Sequence, residues 1–514
     1  MKAPTVEIAT GKIQGTTDKG IHAFKGIPYG GPTDGENRFM PPTPPAPWAG
    51  TRDATRFGQA CWQPLDVTPM SWYLMGGAGI GEMGEDCLKL NVWTPGLNDG
   101  AKRPVLFWCH GGGFFCGSGD HLPLYEGASL ARTGDVVVVT VNHRLGVFGY
   151  LYLEELCGEK YAGSGNAGML DIVQALKWVR DNITVFGGDP KNVTIFGESG
   201  GGGKVATLQA MPAAKGLFHK AISESGPGQY GRAAKEEANK TTEEFLRAFN
   251  FKPEQVGALH KMRTDMIYSA WMALKPTAVM PMGQFAPVVD GKVLPQHPFY
   301  PVAAPTAAGV PLMIGTNKDE MTFMMMRDPK FGKYTEAEIR DTVIGRTRDA
   351  TGFAVPVEKV DGLIATYKRT RPNATPTDII VAITSDRMRM GAIRVAERKA
   401  AGSPAPVYMY QFRYDCPFMG GIFKCPHTME MPFVFNNVEP AVGLVGDNPD
   451  RIPLAEKVSG AWVAFARSGN PNHKGLPKWP TYDKEKRATM IFNVACKVEN
   501  DPLGEERKAW ADFK

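Results

Sequence analysis

The strongest constraint on the fold is a serine flanked by glycines, which stands between a predicted strand and a predicted helix. Residues 192–196 are β-branched and apolar, as in a buried strand, and residues 204–211 have the composition of a helix. Gly197, Ser199 and Gly201 follow the pattern G-x-S-x-G, in which a strained turn exposes a nucleophilic serine at the end of a sheet. The segment therefore predicts a nucleophile at Ser199.

Two runs before the serine predict strands that are buried on both faces of a sheet. Residues 103–109 lead into a glycine-rich segment, and residues 135–141 form a continuous β-branched run of the kind found in parallel sheets. A helical pattern follows at residues 168–180, and later strands are predicted at 309–315 and 406–412. This alternation predicts an α/β fold with a large, mostly parallel central sheet covered by helices on both faces.

The whole chain, residues 1–514, is predicted to be one domain with helical insertions around residues 230–275 and 333–400. A hydrophobic fraction of 43% and a charged fraction of 22% are typical of a globular protein with a large core. The net charge is only +5 and no block is rich in lysine or arginine, so we expect no nucleic-acid partner. No apolar run approaches the length of a membrane span, so we expect none.

The N-terminal residues enter an alternating strand pattern at once and contain no signal-peptide core. They predict either a cytoplasmic protein or one from which a leader has been removed. Eight cysteines in 514 residues are too few for a disulfide scaffold, although they allow a local bridge.

A serine hydroxyl needs an adjacent base and an acid that orients the base. On this type of sheet the chain order is serine, acid, histidine, which leaves His427 and His473 as candidates for the base. His473 lies in a turn-rich segment and His427 in a polar loop before an apolar run, so we expect His427 to be the base. The acid should follow the strand at 309–315, where spacing does not separate Asp319 from Glu320. Either one could instead begin the next helix.

The glycines that follow the strand at 103–109 are candidates for binding an oxyanion. Gly111, Gly112 and Gly113 offer backbone N–H groups that no side chain obstructs. A plain flexible turn is the alternative, but the position ahead of the serine segment favours the oxyanion site. Such chemistry needs no metal and no organic cofactor.

Further motifs occur along the chain, including E-D-C-L-K-L-N-V at residues 85–92. The others lie at residues 24–29, 142–146, 186–190, 287–291, 317–320 and 469–471. With these motifs the chain resembles the type-B carboxylesterase and cholinesterase family of α/β-hydrolases over nearly its whole length. The resemblance implies Glu320 as the acid and His427 as the base. It also implies that the oxyanion donors are the N–H groups of Gly112, Gly113 and Gly200.

The resemblance further implies supporting residues around the site. Glu198 is expected beside the nucleophile, and Ser225 near the acid and the base. A disulfide between Cys61 and Cys87 is also implied, and if it forms, a secreted or periplasmic protein is favoured over a cytoplasmic one.

This chain also departs from the family pattern. Gly200 stands where the family usually has alanine, which leaves the donated N–H unchanged. Residues 76–81 contain no aromatic at the place of the choline-binding tryptophan, and residues 280–283 lack the aromatic walls of the cholinesterase acyl pocket. A cholinesterase is therefore disfavoured, and a general bacterial-type esterase with a wider acyl side is preferred.

The sequence thus predicts a serine carboxylesterase that hydrolyses small-molecule esters through an acyl-enzyme. Its substrate range is expected to be broad and to include medium-chain or aromatic acyl groups. The same mechanism acting on an amide, carbamate or lactone is an alternative. A non-catalytic binding module of the same family is a remote one, because Ser199, Glu320 and His427 are all present. The sequence leaves the oligomeric state open.

Overall fold

An eleven-stranded sheet forms the centre of the protein in a computed structural model that describes residues 3–64, 79–120, 122–226, 232–274, 284–348 and 355–511. The strands of these residues are β1 Thr5–Ile8, β2 Gly11–Gln14, β3 Thr16–Asp18, β4 Ile21–Pro28, β5 Thr51–Asp53, β6 Lys89–Thr94, β7 Arg103–Cys109, β8 Val137–Val141, β9 Gly188–Glu198, β10 Lys220–Glu224, β11 Leu312–Asn317, β12 Val407–Phe412, β13 Ala488–Phe492 and β14 Lys497–Asn500. A separate three-stranded sheet contains β1, β2 and β5.

The large sheet has the strand order β14-β13-β12-β11-β10-β9-β7-β8-β6-β4-β3. Every neighbouring pair from β8 through β13 in this order is parallel, and the outer pairs at both edges are antiparallel. Since parallel strands end at the same edge, the carboxyl ends of β9, β10, β11 and β12 lie side by side. This edge is where the site residues are found.

Alternating side chains of the central strands build two hydrophobic cores, one on each face of the sheet. In β7, Phe107 belongs to one core and Trp108 to the other, and both side chains are fully buried. This burial on both faces explains why the strands are continuously apolar rather than alternating.

Helices cover both faces of the sheet. Those of the described residues are α1 Ala128–Gly134, α2 Gly146–Tyr150, α3 Glu154–Cys157, α4 Ala167–Asn182, α5 Gly200–Leu208, α6 Lys235–Arg247, α7 Thr264–Ala273, α8 Met321–Met325, α9 Ile339–Arg348, α10 Val360–Thr370, α11 Pro376–Gly402, α12 Met431–Val434, α13 Val442–Val445, α14 Arg451–Ser468 and α15 Gly504–Ala509. Apolar residues of α4, α5 and α11 join the first core, whereas those of α1 and α14 join the second. In the part of the chain that the structure describes, no helix is long and apolar enough to span a bilayer.

The predicted fold class is confirmed, with small differences in the bounds of its elements. The helix after the serine begins at Gly200 rather than at residue 204, so its first turn consists of glycines. Close packing explains them: a Cβ at Gly201 would lie 2.0 Å from the carbonyl oxygen of Cys109. Helices α6, α7, α9, α10 and α11 fall in the predicted insertions, and the single domain stays a prediction.

Candidate active site

Ser199 lies on a sharp turn between β9 and α5. Its backbone has φ 56° and ψ −121°, a strained conformation for a residue with a Cβ. The turn is fixed on both sides, because the Ser199 N–H donates to the carbonyl of Glu224 at 2.8 Å and its carbonyl accepts from the N–H of Gly203 at 3.0 Å. The serine is thereby held at the carboxyl edge of the sheet, as the G-x-S-x-G pattern predicts.

His427 and Glu320 form a buried pair beside this turn. Glu320 follows β11 and His427 lies in the loop after β12, so the neighbouring strands bring the two residues together. The Nδ1–H of His427 donates to Oε2 of Glu320 at 2.5 Å, and the N–H of Asn317 donates to the other carboxylate oxygen at 2.7 Å. The exposed fraction is 2% for His427 and 0% for Glu320, so water does not compete for this contact.

The two acids that spacing could not separate point in different directions. The Asp319 carboxylate accepts from the N–H of Cys425 at 3.4 Å and lies 3.6 Å from the Lys318 ammonium. Burial raises the pKa of Asp319, and Lys318 acts against this. Glu320 precedes α8 but makes no capping hydrogen bond. Of the two, Glu320 is therefore the carboxylate that contacts His427.

Glu198 faces the other side of the His427 ring. Its Oε1 lies 3.2 Å from Nε2 of His427, without the geometry of a hydrogen bond. Among the described residues, Nε2 has no hydrogen-bond partner although it is buried. With Nδ1 donating to Glu320, this nitrogen is the one available to accept a proton.

Two more buried glutamates complete an acidic cluster under the site. Glu430 accepts hydrogen bonds from the Asn317 amide at 2.5 Å and from the Ser225 hydroxyl at 3.3 Å. Glu224 accepts from the Trp462 indole N–H at 2.8 Å. Ser225 therefore contacts the cluster through Glu430 rather than through the acid or the base directly.

The cluster shifts the pKa values of its members strongly. Burial alone would lower the pKa of His427, but the carboxylates of Glu198 and Glu320 outweigh burial and raise it to about 9. Burial raises the pKa of Glu198 and of Glu224 well above the ordinary value, and that of Glu430 to about 7. So many buried carboxylates cannot all be ionised beside a single imidazolium.

The glycine loop after β7 lies against the start of α5. Gly112 and Gly113 have φ of 85° and 62°, in the region that favours glycine. In the described part of the chain, the N–H groups of Gly112, Gly113 and Gly200 have no hydrogen-bond acceptor. The N–H of Gly200 is the first of its helix, where no intrahelical partner exists. These N–H groups are the ones predicted to bind an oxyanion.

His473 is engaged elsewhere. Its Nε2–H donates to the carbonyl of Lys457 on α14 at 2.9 Å, and its Nδ1 accepts from the N–H of Gly475 at 3.1 Å. Both ring nitrogens of His473 therefore have structural partners, whereas Nε2 of His427 has none among the described residues.

The implied disulfide between Cys61 and Cys87 is not formed in the structure. All eight cysteines are free thiols, and both of these are buried. A hydrogen bond with Cys61 and burial raise the pKa of Cys87 well above its ordinary value, and the Leu145 N–H donates to the sulfur of Cys61 at 3.3 Å. In this structure the pair therefore consists of two buried thiols, and the bridge stays a prediction.

Two sequence predictions fall outside the described residues. One concerns residues 76–81, which lack the choline tryptophan and of which residues 76–78 are not described, and the other concerns the acyl-side segment 280–283. Over the residues that are described, no group of three or more histidine, cysteine, aspartate or glutamate side chains is arranged to hold a metal ion.

Sequence reasoning missed Glu224, Glu430 and Lys204. Glu224 stands next to the predicted Ser225, and Glu430 follows His427 in the same part of the chain. Nothing in the local sequence marks either glutamate as buried. Lys204 follows four glycines in a mostly apolar helix, which marks the position as unusual but does not show that its side chain is buried.

A serine on a strained strand-to-helix turn, with a histidine in the loop after a later strand, is the arrangement of the α/β-hydrolase class. The carboxylesterase family model matches residues 2–510. The para-nitrobenzyl esterase of Bacillus subtilis is 38% identical over 97% of this chain and 96% of its own. The phenmedipham hydrolase of Pseudarthrobacter oxydans is 33% identical over 95% of this chain and 94% of its own.

Solved structures agree with these relatives. A crystal structure of the carboxylesterase of Geobacillus stearothermophilus superposes with a TM-score of 0.84 at 41% identity, covering 98% of this chain and 99% of that one. The chain belongs to the carboxylesterase family. It is a hydrolase of carboxylic esters.

Proposed function

We propose that Ser199 is the nucleophile of this esterase, His427 its general base and acid, and Glu320 the residue that orients His427. The observation that carries this proposal is the 2.5 Å contact of Nδ1 with Glu320, which leaves the buried Nε2 of His427 without a partner among the described residues. Glu320 fixes the tautomer in which Nε2 accepts a proton, and it stabilises the imidazolium that then forms.

The reaction has two halves. The Ser199 Oγ forms a bond to the ester carbonyl carbon while its proton passes to Nε2 of His427, and the carbonyl oxygen becomes an oxyanion. The bond to the alkoxy oxygen then breaks, and the leaving alcohol takes the proton from His427. Water attacks the acyl-enzyme in the same way, losing a proton to His427, and releases the acid as Ser199 regains its hydrogen.

The N–H groups of Gly112, Gly113 and Gly200 are proposed to bind the oxyanion in both halves. Their free hydrogens and the positive φ of Gly112 and Gly113 support this role. Donors held in place before the charge develops stabilise the transition state more than the bound ester.

Glu198 is proposed to set the pH at which His427 becomes a base. The base must be neutral, so kcat/KM rises as pH increases through the pKa of His427. Glu198→Gln removes one of the carboxylates that raise this pKa. We therefore expect the acidic limb of the kcat/KM profile to move to lower pH, by on the order of one unit.

Glu224→Gln is the matched control for this profile, because Glu224 is equally buried but is hydrogen-bonded to Trp462. Its acidic limb should coincide with that of the wild type. An unmoved limb in Glu198→Gln would show that Glu198 is already uncharged while His427 titrates, and the assigned electrostatic role would be wrong.

The substrates proposed are esters with medium-chain or aromatic acyl groups. The absence of aromatic residues at 280–283 supports a wide acyl side. The name of the Bacillus subtilis relative gives an ester whose aromatic group is in the alcohol part, which supports acceptance of aromatic leaving groups. Apolar contact contributes about 0.8 kcal/mol for each buried CH₂, roughly a fourfold rate gain at most, so a wide pocket should show tolerance rather than sharp preference.

A panel of p-nitrophenyl esters from acetate to octanoate, with the benzoate, tests this function. We expect every ester to be hydrolysed, with kcat/KM values for medium-chain and benzoyl esters within about tenfold of the value for acetate. Acetylcholine should have no advantage over its neutral isostere 3,3-dimethylbutyl acetate. No hydrolysis of any ester would refute the function, and a strong preference for acetylcholine would refute the wide, non-cationic pocket.

A further inference from the structure

A lysine side chain is buried beneath the glycine loop. Lys204 lies in α5 with 0% of its surface exposed. Its ammonium donates to the carbonyls of His110 at 2.9 Å and Gly113 at 2.7 Å, and it lies 5.5 Å from the centre of the Phe114 ring. Buried ammonium groups are rare and are usually paired with a carboxylate, so two backbone carbonyls of one loop are unusual partners.

The charge state of Lys204 suits these contacts. Burial lowers the pKa of Lys204 to about 8, whereas Cys109, Cys116 and Glu198 act in the opposite direction. The side chain is therefore mostly an ammonium at neutral pH, with donors for both carbonyls.

Every carbonyl of residues 110–113 has a hydrogen-bond donor. In chain order the donors are the Lys204 ammonium, the Nδ1–H of His110 (2.8 Å), the N–H of Cys116 (3.0 Å) and the Lys204 ammonium again. In a trans peptide the N–H points away from the carbonyl of the same unit. The peptide units that carry the N–H groups of Gly112 and Gly113 have the carbonyls of Gly111 and Gly112, which His110 and Cys116 hold. Lys204 holds the carbonyls of the peptide units before and after these two, so both ends of the stretch are fixed.

The start of α5 is shaped to receive the loop. A Cβ at Gly200 would lie 2.3 Å from both the N and the O of Gly113, so the loop backbone packs directly on the helix. Lys204 is four residues further on, on the same face of α5, where it reaches the Gly113 carbonyl. Helix α5 thus contacts the loop at two positions shortly after Ser199, at Gly200 and at Lys204.

We propose that Lys204 is a positioning residue for the oxyanion loop. By holding the carbonyls of His110 and Gly113, it fixes the peptide units before and after those that carry the N–H groups of Gly112 and Gly113, and so keeps these N–H groups directed at the substrate oxygen next to Ser199. The inference rests on the function proposed above for Ser199 and these glycines. Lys204 acts through the loop and does not touch the substrate. Its contribution is largest once the oxygen carries negative charge, so its loss should lower kcat more than it raises KM.

Lys204→Met tests this role, since methionine keeps a long apolar side chain and removes all donors. With p-nitrophenyl acetate we expect kcat to fall by about 10- to 100-fold while KM changes by less than about threefold. A trifluoromethyl ketone adds to Ser199 as a hemiketal whose charged oxygen needs the same donors. Its inhibition constant should rise by a factor similar to the fall in kcat/KM.

Lys399→Met is the matched control. Lys399 lies in α11, is 1% exposed, and donates to the carbonyl of Ala307, and burial lowers its pKa to about 8 as well. This variant should keep the wild-type kcat and the wild-type inhibition by the ketone. Lys204→Gln retains two N–H donors on a shorter side chain, and its kcat should lie between those of Lys204→Met and the wild type.

A folded Lys204→Met with wild-type kcat and ketone inhibition would overturn the proposal. If the methionine variant does not fold, wild-type values in Lys204→Gln would overturn it in the same way. An equal loss of kcat in Lys399→Met would also overturn it, because the effect would then follow from removing any buried lysine. A wild-type protein that neither hydrolyses esters nor binds the ketone would instead refute the proposed function itself.

Discussion

Replacing His427 by alanine should reduce kcat for ester hydrolysis on the order of 10⁴-fold or more, as loss of a triad histidine generally does. The physical reason is that the change removes Nε2, the proposed acceptor of the Ser199 proton, which is buried and has no hydrogen-bond partner among the described residues. Initial rates with p-nitrophenyl butyrate, together with the circular dichroism spectrum of the folded variant, measure this effect.

His473→Ala is the matched control, because His473 is the other histidine that follows the late strands. Its ring binds Lys457 and Gly475, so the change should leave kcat within about twofold of the wild type, as for most half-exposed surface positions. A silent His427→Ala with an inactive His473→Ala would reverse the assignment of the base.

Replacing Glu320 by glutamine should lower kcat by about 10³- to 10⁴-fold, with little change in the fold. The amide keeps the shape of the carboxylate, but it can turn its NH₂ toward Nδ1, which favours the wrong tautomer of His427. It also removes the charge that stabilises the imidazolium. Because the side chain is fully buried, no water can replace the carboxylate.

Asp319→Asn provides the comparison at the neighbouring position. Asp319 is also buried, but it contacts Cys425 and Lys318 rather than the histidine. We expect this variant to keep kcat within about tenfold of the wild type. If Asp319→Asn is inactive while a folded Glu320→Gln is active, the assignment of the acid is wrong.

The sheet and the position of Ser199 could be predicted from the sequence because their signals are local. A β-branched run predicts β8, and strand, glycines and helix in succession predict the turn at Ser199. The choice between Asp319 and Glu320 could not be made from spacing, since both follow β11. It depends on which carboxylate turns toward a loop more than a hundred residues later in the chain.

The burial of Glu430 and Lys204 could not be predicted from the local sequence for the same reason. Glu430 is stabilised by Asn317 and Ser225, which are 113 and 205 residues away in the chain. Lys204 is stabilised by carbonyls 94 and 91 residues away. Burial of a charged group depends on such distant partners, so a charged residue in the sequence gives no sign of it until the fold is known.

The central claim, that Ser199 is the nucleophile, is tested most directly by covalent labelling. The protein is treated with a fluorophosphonate, digested with trypsin and analysed by mass spectrometry, with Ser199→Ala treated in parallel. We expect one adduct per chain, on the peptide of residues 192–204, in which Ser199 is the single serine, and a loss of ester hydrolysis proportional to labelling. An adduct on another residue, or a Ser199→Ala variant that is still labelled and still hydrolyses esters at the wild-type rate, would contradict the account.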